Sequence, residues 1–161
     1  MPADNTSLTP LLDIHDFILA QRAERFRAFI LHGPPLSGKS SFARRLAQHE
    51  GGLYIDVLSL VNEDPLLADR VDTLDALWLE DQVRAAIRAG ASFIVVDEFD
   101  FLWPIWGDTI APLLHRIERF YSETPVAIAW VMPSHRALKD ASISRANGMS
   151  RVLPLENIKA L

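Results

Sequence analysis

Between Ala28 and Ala47 the chain reads AFILHGPPLSGKSSFARRLA, and within it the hydrophobic pattern changes from a continuous apolar run to a helix. The run from Phe26 to His32 is mostly apolar and shows no alternation with polar residues, the profile of a strand buried on both faces. Gly33 and two prolines end it, and Ser40 to His49 then reads as a helix stopped by Gly51 and Gly52. A strand with no face in water needs parallel neighbours and helices on both sides, which restricts the chain to an α/β architecture.

The same alternation recurs along the sequence. Thr9 is placed to cap a leading helix with Pro10 at its first position, and Leu11, Ile14, Ile18 and Leu19 follow at helical spacing to about Arg25. LYIDVLSL, Leu53 to Leu60, is a second strand candidate, followed by an acidic, proline-containing connection. Thr73 then caps a helix with Leu74, Leu77, Trp78, Val83 and Ile87 inward, closed by Gly90. SFIVV, Ser92 to Val96, is the most β-prone segment and ends in DEFD. After a loop rich in aromatics, a helix from Asp108 to Ser122 turns Ile110, Leu113, Leu114, Ile117 and Tyr121 inward. Strand VAIAWVM, a short helix near His135 to Ala141 and a last strand, RVLPL, complete the chain. The expectation is a three-layer α/β sandwich around a five-stranded parallel sheet. With 161 residues, 49% of them apolar, and no repeat, linker or low-complexity stretch, one domain is expected over 1–161, with a leading helix in 1–25 and an α/β core in 26–161.

Composition excludes several classes. A net charge of −5 disfavours coating nucleic acid or a membrane surface by bulk charge. The absence of cysteine removes disulfides and thiolate metal sites, and the five histidines include no pair at HxxxH spacing. MPADNTSLTP lacks the basic start and apolar core of a signal peptide, and no run approaches the roughly 20 apolar residues of a membrane span, so a cytoplasmic protein is expected.

Gly33-Pro34-Pro35-Leu36-Ser37-Gly38-Lys39-Ser40 matches the phosphate-binding pattern GxxxxGK[ST] in full, between a strand and a helix as that pattern requires. The four fixed positions co-occur by chance in roughly fewer than one chain in a hundred of this length. Backbone N–H groups of the loop and of the helix start through Ser41 form an anion cradle, and Gly38 lets the main chain approach phosphate without a side-chain clash. Lys39 is placed for the β- and γ-phosphates, and the Ser40 hydroxyl for Mg²⁺. Asp97, at the carboxyl end of a buried strand, is positioned to hold Mg²⁺, and Glu98 to polarise an attacking water. No NKxD-type guanine element is visible, which favours ATP.

These residues resemble the P-loop ATPases that carry an added catalytic glutamate, particularly the AAA+ superfamily. GPPLSGKS is similar to their GPPGxGK[ST], and IVVDEFD to their apolar run ending in Asp-Glu. The resemblance covers nearly the whole chain and implies that the strand AIAWV lies between the loop strand and the Asp97 strand. It also implies a polar sensor at the end of the fourth strand, best matched by Ser134 or His135. An arginine reaching a neighbour's nucleotide is matched by Arg145 or Arg151. Two departures are Leu36, where the middle glycine is usual, and the lack of room for the helical lid that follows an AAA+ core. Length, YIDVLSL, DEFDFLW and AIAWVMP also resemble the single-domain P-loop component of bacteriophage-exclusion (BREX-type) defence systems.

Phe99, Phe101, Leu102, Trp103 and Trp106, with Pro104 and Gly107 opposing a regular helix, form either a loop folded onto the core or a surface for protein partners. His135, Arg136, Lys139, Arg145 and Arg151 give a basic carboxyl-terminal part facing an acidic stretch from Glu63 to Asp81, a polarity suited to homo-oligomer contacts or to DNA. Arg44 and Arg45 are expected at the surface. Three functions remain open at this point: a slow ATPase inside a larger assembly, a small-molecule kinase, and an ATP-gated adaptor with negligible turnover.

Overall fold

The computed structural model describes residues 10–161. The apolar runs become strands β1 (Ala28–Gly33), β2 (Leu53–Asp56), β3 (Phe93–Asp97), β4 (Ala127–Pro133) and β5 (Val152–Pro154). All are parallel, in the order β2-β3-β4-β1-β5, so β4 lies between β1 and β3 as the resemblance implied. The helices are α1 (Ile14–Gln21), α2 (Lys39–His49), α3 (Val57–Glu63), α4 (Pro65–Ala68), α5 (Ala76–Arg88), α6 (Ala111–Glu118) and α7 (Arg136–Lys139).

Alternation along each strand divides the core. Ala28, Ile30, Ile94, Val96, Ile128 and Trp130 face α3, α5, α6 and α7, whereas Phe29, Leu31, Phe93, Val95, Ala129 and Val131 face α1 and α2. This is the expected three-layer sandwich, of the kind P-loop NTPases share. Each fully buried Leu, Ile, Val or Phe contributes roughly 1.5–3 kcal/mol, so covering both faces is what holds the sheet between its helices. Gly52 is required where the turn after α2 crosses β3: a Cβ there would lie 2.6 Å from the Phe93 carbonyl oxygen.

Several boundaries move. Thr9 lies outside the described residues, and α1 is capped instead by Asp13, whose carboxylate accepts from the Asp16 N–H at 3.1 Å. Leu11 and Leu12 are not helical, because Leu12 pairs in parallel with Ile158 near the other end of the chain. The second strand is shorter than LYIDVLSL: Asp56 accepts from the Ser59 N–H at 3.0 Å, caps α3, and so converts VLSL to helix with Val57 and Val61 inward. Asp75, not Thr73, caps α5, and the shifted start buries Ala76, Leu79, Val83 and Ala86 while leaving Leu77 exposed. Since α6 ends at Glu118, Phe120 takes the inward position expected of Tyr121, which is exposed. Among the described residues no helix is long and apolar enough to cross a membrane.

The two arginines expected to act on a neighbour's nucleotide are interior. Arg151 is 2% exposed and donates to three carbonyls, Ala28 at 2.7 Å, Glu118 at 3.0 Å and Ser144 at 3.1 Å. Arg145 is 8% exposed, donates to Gln21 Oε1 and the Phe17 carbonyl at 2.8 Å each, and stacks 4.2 Å from the centre of the Phe17 ring. Burial pushes both guanidinium pKa values down from the ordinary arginine value. Arg151 also grips β1 at Ala28, the end away from the Gly33 loop, about 16 Å off by strand rise. From the interior these side chains satisfy carbonyls of α1, β1, α6 and the loop before β5.

Arg151→Met keeps the side-chain stem and removes every donor from three buried carbonyls. The expected cost is about 3–5 kcal/mol, a fall in Tm on the order of 10 °C, read by thermal unfolding. An arginine acting in trans would instead lose rate at unchanged Tm.

Candidate functional site

Parallel pairing places every strand's carboxyl end on one edge of the sheet. Gly33 lies opposite Pro133, and Asp56 opposite Asp97, so the loop, the acidic pair and Ser134 meet there. In open parallel sheets this edge is where ligands bind.

The loop leaves β1 at buried Gly33 and turns through a Ser37 N–H to Pro34 carbonyl bond of 3.2 Å, with Pro34, Pro35, Leu36 and Ser37 exposed. Gly38 has a φ of 81° and opens α2 without any side-chain cap, so the first N–H groups of the helix at Lys39, Ser40 and Ser41 have no side-chain acceptor at the cap position. No acidic residue occupies that first turn. Lys39 folds back, its Nζ 3.4 Å from the Pro34 carbonyl oxygen. Leu36, where glycine is usual in the resembling families, adopts a φ of 61°, so the loop keeps the left-handed conformation at a cost a side chain imposes.

Ser40 and Glu98 come together directly: Ser40 Oγ donates to Glu98 Oε1 at 2.8 Å. Glu98 holds a φ of 59°, a strained value for a non-glycine residue, and its N–H donates to Asp97 Oδ1 at 2.7 Å. Asp97 itself is 3% exposed, and its other oxygen accepts from the Tyr54 hydroxyl at 2.6 Å. Burial and the Asp97 bond raise the Tyr54 phenol well above its ordinary pKa. Arg44 covers the Tyr54 ring at 5.1 Å and pairs with Asp56 at 3.4 Å, so this expected surface residue buttresses the acidic pair from outside. The hydroxyl of Ser40 with the carboxylates of Asp97 and Glu98 is an all-oxygen donor set, which fits Mg²⁺ completed by water and phosphate.

Ser134 stands at the end of β4 as expected of a sensor position. Its N–H donates to the Gly33 carbonyl at 2.9 Å, and its Oγ lies 3.0 Å from His32 Nδ1. Burial pushes the His32 imidazole below its ordinary pKa. His135 caps α7 through Nδ1, which accepts from the Ala137 N–H at 3.0 Å, and its ring meets Trp103 edge-on at 5.4 Å. A cleft of about 390 Å³ runs from Gly33, Pro34 and Ser37 past Ser134 to Leu155 and Glu156.

The aromatic loop is part of the core. Phe99, Leu102 and Trp103 are buried, Phe99 meets Trp130 edge-on at 5.7 Å, and Trp106 Nε1 donates to the Leu74 carbonyl at 2.8 Å. Its apolar side chains therefore face inward, and the expectation of a partner surface over Phe99–Trp106 reduces to exposed Pro104 and Ile105. Arg145 and Arg151 stay away from the site, as described above. Tyr54 and His32 are the site residues that sequence reasoning missed; the one signal was a polar group inside each otherwise apolar run, LYI and AFILH.

No protein-family model matches the chain. It is 39% identical over 74 residues to the bifunctional pantoate ligase/cytidylate kinase of Gloeobacter violaceus, a match covering 45% of this chain and 14% of that protein. The chain thus spans a small part of that relative's length. Loop, sheet and match together fit a nucleotide-binding P-loop protein.

Tyr54→Phe leaves Asp97 Oδ2 without its donor. It is expected to lose about 1–3 kcal/mol in urea unfolding at pH 7. Because the phenol pKa is raised, this stabilisation is complete below pH 10 and declines as pH rises through the folded value. In Tyr54→Phe that alkaline decline is absent.

Proposed function

We propose that this chain is a Mg²⁺-dependent ATP-binding protein that hydrolyses ATP with Glu98 as general base, working within a larger assembly. The observation that carries the reading is the Ser40–Glu98 contact, which sets the water-activating carboxylate against the first turn of the phosphate-binding helix. Support also comes from β4 between β1 and β3, the order implied by the resemblance to ATPases with an added glutamate.

In this reading the loop N–H groups and the start of α2 bind the phosphates, and Lys39 exchanges the Pro34 carbonyl for phosphate oxygen. Ser40 and Asp97 would hold Mg²⁺, whose charge neutralises the β- and γ-phosphates when bound. Tyr54 keeps Asp97 oriented. While Ser40 Oγ donates to Glu98, one carboxylate oxygen is engaged; breaking that bond on nucleotide loading frees Glu98 to take a proton from water. Ser134 links the end of β4 to Gly33, a position from which it reports whether the loop is filled. ATP is the nucleotide, and self-association supplies the group in trans that Arg145 and Arg151 do not. The finer resemblance extends the role to BREX-type antiphage defence inside the cell, tested by phage plating with a Lys39→Ala strain.

A second reading, transfer of the γ-phosphate to a small acceptor, is favoured by the match to the bifunctional pantoate ligase/cytidylate kinase.

Phosphate release from Mg-ATP, measured over a wide range of protein concentration with Lys39→Ala as blank, separates them. Hydrolysis with specific activity rising with concentration, lost about 100-fold or more in Glu98→Gln while ATP still binds, is expected. ADP formation without free phosphate, and only with an added acceptor, establishes the kinase. ATP binding with neither product leaves an ATP-gated adaptor and overturns the hydrolase.

A further inference from the structure

We infer that the cleft beneath α7, on the face of the sheet opposite α2, is a second ligand site that takes a small organic phosphomonoester. It holds about 580 Å³, within the range that encloses a metabolite-sized molecule. Arg136 and Lys139 lie one turn apart on α7 and so share a side of it, while buried Leu138 fixes that turn to the core. Ser134 and Ser150 add hydroxyls, His32 and His135 add imidazoles, and no carboxylate lines the cleft. In a chain of net charge −5 this is a local reversal of sign.

The chemistry selects the ligand. His135 Nδ1 accepts from the Ala137 N–H, which leaves the ring proton on Nε2 as a donor, and Trp103 holds the ring in place. Two cations, the His135 ring N–H and the one donor left free by the Ser134–His32 bond suit one dianionic phosphate group, the Ser150 hydroxyl being engaged by the Val152 carbonyl, and Leu138, Val152 and Pro154 give an apolar floor for an organic body. A nucleic acid backbone engages a longer row of cations, on the order of 6–10 phosphate contacts in duplex binders, than this cleft offers. The cleft shares His32, Ser134 and Pro154 with the cleft at the loop, so its occupant would stand next to the Gly33–Ser37 side of that loop, where an acceptor or an effector can lie.

The test is calorimetric titration of the full chain, without ATP or Mg²⁺, with cytidine monophosphate, adenosine monophosphate, glucose 6-phosphate, inorganic phosphate and a single-stranded oligonucleotide. At least one organic phosphomonoester is expected to bind with Kd below about 1 mM. Binding should weaken about tenfold or more in Arg136→Ala/Lys139→Ala and stay unchanged in Lys39→Ala. Both substituted residues are exposed, so Tm should hold, and Arg136→Glu gives an independent variant with the same expected loss. The inference is overturned if no phosphomonoester binds, if binding follows Lys39 instead of α7, or if inorganic phosphate or the oligonucleotide binds more tightly than every organic probe. Because ATP is absent, failure here leaves the hydrolase reading standing, and failure of that reading leaves this result intact.

Discussion

The structure depends on one constraint: β1, β4 and β3 run parallel in adjacent register with both faces covered. Parallel pairing sends every carboxyl end to the same edge, so Gly33, Asp97 and Ser134, 101 residues apart at the extremes by sequence number, become neighbours. Burial of both faces fixes the register, because a slip of one residue would exchange Ile30 for Phe29 and Val96 for Val95 between two differently shaped cores. The site is therefore a product of core packing before it is a product of any loop.

Strain and unmet polarity concentrate where that edge meets the loops. Leu36 and Glu98 both hold left-handed backbone, at φ 61° and 59°, on either side of Ser40. Such conformations persist only where the surroundings over-determine them. For Glu98 those surroundings are the Asp97 carboxylate on its N–H, the Ser40 hydroxyl on its side chain, and Phe99 locked against Trp130. The indole N–H groups of Trp103 and Trp130 are buried without acceptors, so this aromatic region is the least satisfied part of the core and directly follows the strained glutamate.

Two polar links tie the edge together from opposite sides. On one, Arg44, Tyr54 and Asp56 surround Asp97 through a ring contact, a hydroxyl bond and an ion pair. On the other, His32 and Ser134 join β1 to β4 one residue before the loop begins. Both links reach the phosphate loop without belonging to its motif. The Arg145 and Arg151 clusters do the complementary work at the amino-terminal side, satisfying carbonyls where helices and strands diverge.

The sequence alone determined the fold class, the strand order through resemblance, and the identities of the loop residues, because the periodicity of apolar runs and the spacing GxxxxGKS are local properties. It also singled out Ser40 for Mg²⁺ and Glu98, paired with Asp97, for water activation, though not the contact between Ser40 and Glu98. Cap competition lay beyond it: Asp56 and Asp75 prevail over a longer strand and over Thr73, a contest decided by which turn lands an apolar face on the sheet. Tertiary structure alone decided which arginines are interior, that the aromatic loop folds inward, and that Tyr54 holds Asp97. Each of these depends on partners dozens of residues away, and the free energy of burying a cation or an indole is set by what surrounds it, which one-dimensional order does not carry.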